Sequence, residues 1–117
     1  MTNFNMAVVE GRLTKDCELI YSSRGFPILK FCIANNWYKR VSGKKEQRVS
    51  FFNIVAMNKL AEIMSKYLKK GTRIIVSGRL NIENYKNTKG ENKTWIEIIA
   101  NNIDFFNSEK KEKSIEE

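Results

Sequence analysis

The chain has 117 residues, enough for one domain with a real core and too few for two. Its 21 Lys and Arg outnumber 13 Asp and Glu, giving a formal net charge of +8 and a pI near 9.6. That balance points to an anionic partner, nucleic acid being the commonest for a small basic domain, although lysines that serve only solubility account for it equally well. With no histidine and two cysteines at positions without zinc-ligand spacing, the composition lacks the commonest general base and the Ser-His and Cys-His nucleophile pairs.

The carboxylates are scattered among lysines, with no recognisable acid pair and no phosphate-cradling motif, so neither catalysis nor a cofactor is expected. Met1 to Leu13 carries no basic leader and no continuous apolar core, which argues against a signal peptide, and no stretch is long enough to span a membrane. Cys17 and Cys32 then read as small packing residues in a reducing, cytoplasmic compartment.

Strand-like segments with turn residues between them dominate the chain. The first covers about Phe4 to Leu13, resumes after Thr14-Lys15-Asp16 as Cys17 to Tyr21, and turns at Ser22-Ser23-Arg24-Gly25. The second runs from Phe26 to about Trp37, with Pro27 near its start, where a missing N–H costs least. A polar, basic connection around Val41-Ser42-Gly43-Lys44-Lys45 leads to the third. There Phe52, Ile54 and Ala56 alternate with Phe51, Asn53, Val55 and Met57, so if the first set is core, Phe51 faces outward. Counting by twos groups Trp37 with Phe31 and Ile33 on the core side; a bulge near Asn35-Asn36 would reverse that.

The period then changes. Asn58 is placed to cap a helix whose apolar stripe is Leu60, Ile63, Met64, Tyr67 and Leu68, with Lys69 and Lys70 at its negative end and Gly71 at the left-handed C′ position. A fourth strand spans Thr72 to Tyr85, placing Ile74, Val76, Gly78, Leu80 and Ile82 on one face, expected to be core, and Arg73, Ser77, Arg79, Asn81 and Tyr85 on the other, expected to meet water. A fifth, Lys93 to Phe105, follows a turn around Lys86 to Asn92; Trp95 reads as packing within this last hairpin. Five strands with one helix between the third and fourth match a mainly β OB-fold, a five-stranded Greek-key barrel that hosts oligonucleotide binding on one face.

From about Phe4 to Phe106 the chain resembles the DNA-binding domain of the bacterial single-stranded DNA-binding protein family. The resemblance rests on Gly11-Arg12-Leu13-Thr14 with Asp16 and Glu18, Phe31 to Ala34, the whole of Phe51 to Gly71, Val76-Ser77-Gly78-Arg79-Leu80, and the Tyr85 hairpin with Lys89-Gly90. It implies an OB-fold domain over residues 1–107, assembly as a homotetramer, and a non-catalytic, nucleoid-associated role in which single-stranded DNA is coated during replication, recombination and repair. It further implies that Trp37, Phe51 and Tyr85 stack on bases, and that Arg40, Lys59, Lys70 and Lys93 occupy positions that approach phosphate. Arg79 and Lys86 join them on geometry, because Arg79 shares Tyr85's face and Lys86 adjoins it.

The chain also departs from the family pattern. Met57 stands where Phe or Trp is common, leaving a thioether at one DNA-binding position, and Cys17 stands where proline is usual. Residues 108–117 form a short charged segment of net charge −1, expected to be disordered, without the acidic Pro-Phe tip through which family members dock replication and repair proteins. Two other readings stay open: a primosomal accessory or RNA-binding OB protein, and an interaction module whose basic face meets an acidic protein.

Overall fold

The computed structural model describes residues 2–105; Phe106, the last residue of the resemblance, and the charged segment 108–117 lie outside them. The element order is β1 (Ala7–Leu13), β2 (Glu18–Tyr21), β3 (Pro27–Val41), β4 (Lys44–Met57), α1 (Asn58–Met64), β5 (Arg73–Lys86) and β6 (Asn92–Phe105). The expected first strand is broken into β1 and β2, which pair at different places. β1 lies antiparallel to β5 from Ala7↔Gly78 to Arg12↔Arg73, and at its end reaches β3 through Arg12↔Ala34 and Leu13↔Ile33. β2 lies along the start of β3, from Glu18↔Lys30 to Tyr21↔Pro27. A short parallel contact, Ile54↔Ile98 and Val55↔Ile99, joins β4 to β6 and completes the closed barrel.

Closure brings backbones close at two glycines. A Cβ on Gly78 would stand 2.1 Å from the Ile99 carbonyl oxygen, and one on Gly11 would stand 2.6 Å from that of Ala34. Gly78 marks the place where the β5–β6 register slips, from Ser77↔Asn102 to Gly78↔Ala100. The bulge bends the pair so that it can curve round the barrel.

The core holds the alternating residues the strands predict. Leu13, Leu29, Ile33, Ile54, Ile74, Val76 and Ile98 are essentially sealed from solvent. The helix plugs one end through Ala61, joined by Leu68 from the segment after it, with Leu60 and Met64 packed alongside. Two readings of this segment are corrected. Met57, not Asn58, is the N-cap, and no side chain caps the helix; Asn58 instead takes φ +58°, a left-handed conformation that Asn tolerates better than most residues, and so turns the strand sharply into the helix. The helix is also shorter than its stripe. It ends at Met64, so Tyr67 lies beyond it and is exposed, Ile63 is exposed within it, and Lys69 and Lys70 sit in the turn beyond, where Gly71 (φ +88°) donates its N–H to the Leu13 carbonyl.

Cys17 packs against the core while Cys32 is half-buried on β3, both as free thiols. Burial pushes the Cys17 thiol up, and the opposing pull of Lys69 is the smaller effect. Because the folded thiol keeps its proton to higher pH than the unfolded one, this contribution is fully present below the unfolded value and shrinks as pH climbs past it. Alkylation of Cys17 at mildly alkaline pH, followed by peptide mass mapping, is expected to run slower in the native protein than in urea. Equal rates would contradict this burial.

Candidate nucleic-acid interface

Two long hairpins extend past the barrel rim. β3 and β4 pair without interruption from Ile28↔Met57 to Val41↔Lys44, closed by a two-residue turn in which Ser42 and Gly43 both have positive φ, 49° and 79°. That is the combination a tight hairpin turn of the primed type requires. Val41 to Lys45, read from sequence as a connection, is therefore mostly strand. The β5–β6 hairpin ends in a turn where the Asn87 side chain accepts the N–H groups of Lys89 and Glu91 and Gly90 has φ +80°.

Register decides which side chains share a face, because directly paired residues point the same way. Phe51 is opposite Ala34, so Met57, Asn53 and Phe51 on β4 share the barrel exterior with Lys30, Tyr38 and Arg40 on β3. The pairing Val55↔Ile99, with Arg79↔Ile99, continues that exterior face onto β6 and β5, where it carries Lys93, Trp95, Arg79 and Tyr85. Phe51 is 62% exposed and Tyr85 49%. The Lys93 ammonium stands 3.9 Å from a Glu91 carboxylate oxygen, and the Arg40 guanidinium donates to the Gly43 carbonyl at 3.3 Å.

Trp37 is not on this face. The unbroken register rules out a bulge between β3 and β4, so Trp37 keeps the parity of Phe31 and Ile33. It is nonetheless exposed, because it lies beyond the rim where no core covers it; its indole N–H donates to Ser50 Oγ at 2.9 Å. Ile82 and Ile96, paired on the inner side of the other hairpin, are exposed for the same reason, which corrects the expectation that Ile82 is core. Lys86, next to Tyr85, falls on the opposite face of its strand. Lys59 is exposed on the first turn of α1, and Lys70 is exposed beyond the helix, its backbone N–H bound to Asp16 Oδ1. The structure therefore gathers Arg40, Phe51, Met57, Arg79, Tyr85 and Lys93 on one exterior, with Trp37 and Lys86 on the reverse of the two arms.

Among the exposed aromatics that the sequence reading did not take as site residues, Tyr38, Phe26 and Trp95 lie nearest this face in register or share a cleft or groove with its residues. Tyr38 follows from the Ser42-Gly43 turn, which fixes the pairing and puts it on Phe51's face, where the Lys45 ammonium sits 5.1 Å from its ring centroid. Phe26 lines a shallow cleft with Ser22, Pro27, Ile28, Met57 and Asn58. Two hydrogen bonds hold its backbone to Ser22, one to the side chain and one from the Ser22 N–H. Trp95, expected to pack inside the last hairpin, is instead exposed, and its indole N–H donates to Glu97 Oε2 at 2.7 Å.

The sequence and the fold both have counterparts among known proteins. A single-stranded DNA-binding protein of Borreliella burgdorferi is 35% identical over 109 residues, covering 92% of this chain and 73% of its own length. That of Treponema pallidum is 33% identical over 108 residues, with 92% and 61% covered, and one from Staphylococcus aureus is 37% identical over 103, with 87% and 65% covered. The chain thus spans between about three-fifths and three-quarters of these relatives' lengths. Among solved structures, an SSB of Plasmodium falciparum in complex with ssDNA superposes with a TM-score of 0.82 at 23% identity, covering 92% of this chain and 98% of that one, a likeness of fold. Residues 4–106 match the family model described as the single-strand binding protein family, to which this chain belongs.

Proposed function

We infer that this chain binds single-stranded DNA without sequence preference and coats it during replication, recombination and repair, with no catalytic step. The observation that carries the reading is one barrel exterior on which half-exposed aromatics, Phe51 and Tyr85, alternate with Arg40, Arg79 and Lys93. Stacking requires only a π-face, which every base offers, and the cations neutralise the backbone whatever its sequence. Met57 contributes a thioether on the same face. Trp37 and Lys86 engage the strand from the arms, Lys59 from the helix and Lys70 from the turn after it, rather than from the barrel exterior itself.

The test is a titration of the full chain with an unstructured thymidine oligonucleotide against matched duplex and RNA, followed by tryptophan fluorescence. Single-stranded DNA is expected to bind tightest. If the six candidate cations each neutralise one phosphate, the slope of log affinity against log salt is about −4. Equal affinity for duplex, or a flat salt response, would sink the reading.

Assembly into a homotetramer belongs to the same proposal. Phe4, Met6, Val8 and Val49 are apolar and exposed, and contact between copies would cover them. Val55, which alternation places on the outer face with Phe51, is buried beside Ile99 and needs no such cover. Light scattering is expected to give a mass near four chains at micromolar concentration; a stable monomer would remove the tetramer. A cytoplasmic, nucleoid-associated location follows from the proposed ligand, and no described helix is long and apolar enough to cross a membrane.

A further inference from the structure

We propose that Trp95 is a base-stacking platform that bridges Phe51 and Tyr85 into one continuous track for the strand; the proposal rests on the single-stranded DNA reading of that face. β6 runs parallel to β4 with Ile54↔Ile98 and Val55↔Ile99 paired. Three residues before each member of the first pair lie Phe51 and Trp95, both of outer parity, and Trp95 lines a groove with Asn53, the next outward-facing residue after Phe51 on β4. On the other flank Trp95 pairs with Glu83 across the β5–β6 ladder, and Lys93 pairs with Tyr85, one step along the same face. A base leaving Phe51 for Tyr85 therefore meets Trp95 on the way.

The surroundings of the indole fit this role. It is 44% exposed and lines a groove of about 310 Å³ together with Lys30, Asn53, Val55 and Glu97, a size at the low end of small-ligand sites. One side of the groove is apolar, Lys30 and Lys15 bring positive charge, and the Asn53 amide offers both a donor and an acceptor to a base edge. Glu97 holds the ring in place. It accepts the indole N–H at 2.7 Å through one oxygen and the Asn81 amide at 3.3 Å through the other, so the ring is oriented before any ligand arrives. An indole fixed by its edge and still 44% exposed suits stacking better than a packing residue, which would be covered. The nearby carboxylates of Asp16 and Glu18 favour a base over a phosphate at this point of the groove.

The chain has two tryptophans, Trp37 and Trp95, so Trp37→Phe makes Trp95 the sole indole reporter. Saturating this variant with a thymidine oligonucleotide is expected to quench the remaining emission strongly. In the otherwise native chain, Trp95→Ala is expected to weaken oligonucleotide binding by about 5- to 150-fold with the salt slope unchanged, because a stack and not a cation is lost. Trp95→Phe, which keeps a π-face, is expected to recover most of the affinity. Unchanged Trp95 emission at saturation, or equal affinity of the alanine variant, would overturn the proposal while leaving the function reading intact. Emission that shifts with protein concentration alone would overturn it too, since a second copy would then cover the ring. Failure of the unaltered chain to bind any single strand would instead remove the reading beneath it.

Discussion

Replacing Phe51 and Tyr85 together by alanine is expected to weaken binding of a thymidine oligonucleotide by between about 30-fold and 10⁴-fold. Each base–aromatic stack is worth roughly 1–3 kcal/mol by alanine substitution, and contributions from separated sites add, giving about 2–6 kcal/mol for the pair. The two rings sit on different hairpins of one barrel face and are 62% and 49% exposed, so truncation removes no core contact and the unfolding transition should move little. Equilibrium titration at fixed salt, with circular dichroism as the folding control, makes the measurement. A loss below about threefold would mean that the basic residues bind alone or that another surface meets the strand. It would also revive the alternative in which this face contacts an acidic protein.

The largest expected effect on stability comes from a single methyl group. Gly78→Ala would place Cβ 2.1 Å from the Ile99 carbonyl oxygen and 2.9 Å from the Ala100 Cα, both backbone atoms that no rotamer change can move. Overpacking a well-packed site costs about 1–3 kcal/mol where side chains can yield, so here, where the bulge itself must rearrange, about 3 kcal/mol or more is expected. Urea unfolding should show a much lower midpoint, or no cooperative transition. Gly11→Ala, with its 2.6 Å approach to the Ala34 carbonyl oxygen, should follow in the same direction with a smaller loss. A midpoint within error of the native chain for Gly78→Ala would show that the β5–β6 bulge is not needed for closure.

Both glycines stand in segments that carry the family resemblance, Gly11-Arg12-Leu13-Thr14 and Val76-Ser77-Gly78-Arg79-Leu80, yet neither has positive φ. Their role is close approach between strands distant in sequence, which no local signal reveals. The same limit separates the accurate parts of the sequence reading from the corrected ones. Alternation placed Ile54, Ala56, Ile74 and Val76 in the core, and they are there, because a strand's side-chain period is a local property. Asn58 was legible as a break between strand and helix, although its left-handed backbone, not a side-chain cap, makes the break.

The amino-acid sequence by itself determined the element types, the core parity of the second, third and fourth expected strands through the barrel, the basic balance and the exposed positions of Phe51 and Tyr85. What only the tertiary structure decided is where each strand stops being covered. β3, β4, β5 and β6 continue past the rim, so Trp37, Ile82 and Ile96 keep core parity and still meet water, while Val55 has outer parity and is buried beside β6. Burial depends on what lies above a face, and that is supplied by residues far away in the chain. The parallel pairing of β4 with β6 is such a distant contact, and with it Trp95 comes to line a groove with Lys30 of β3 and with Asn53 and Val55 of β4.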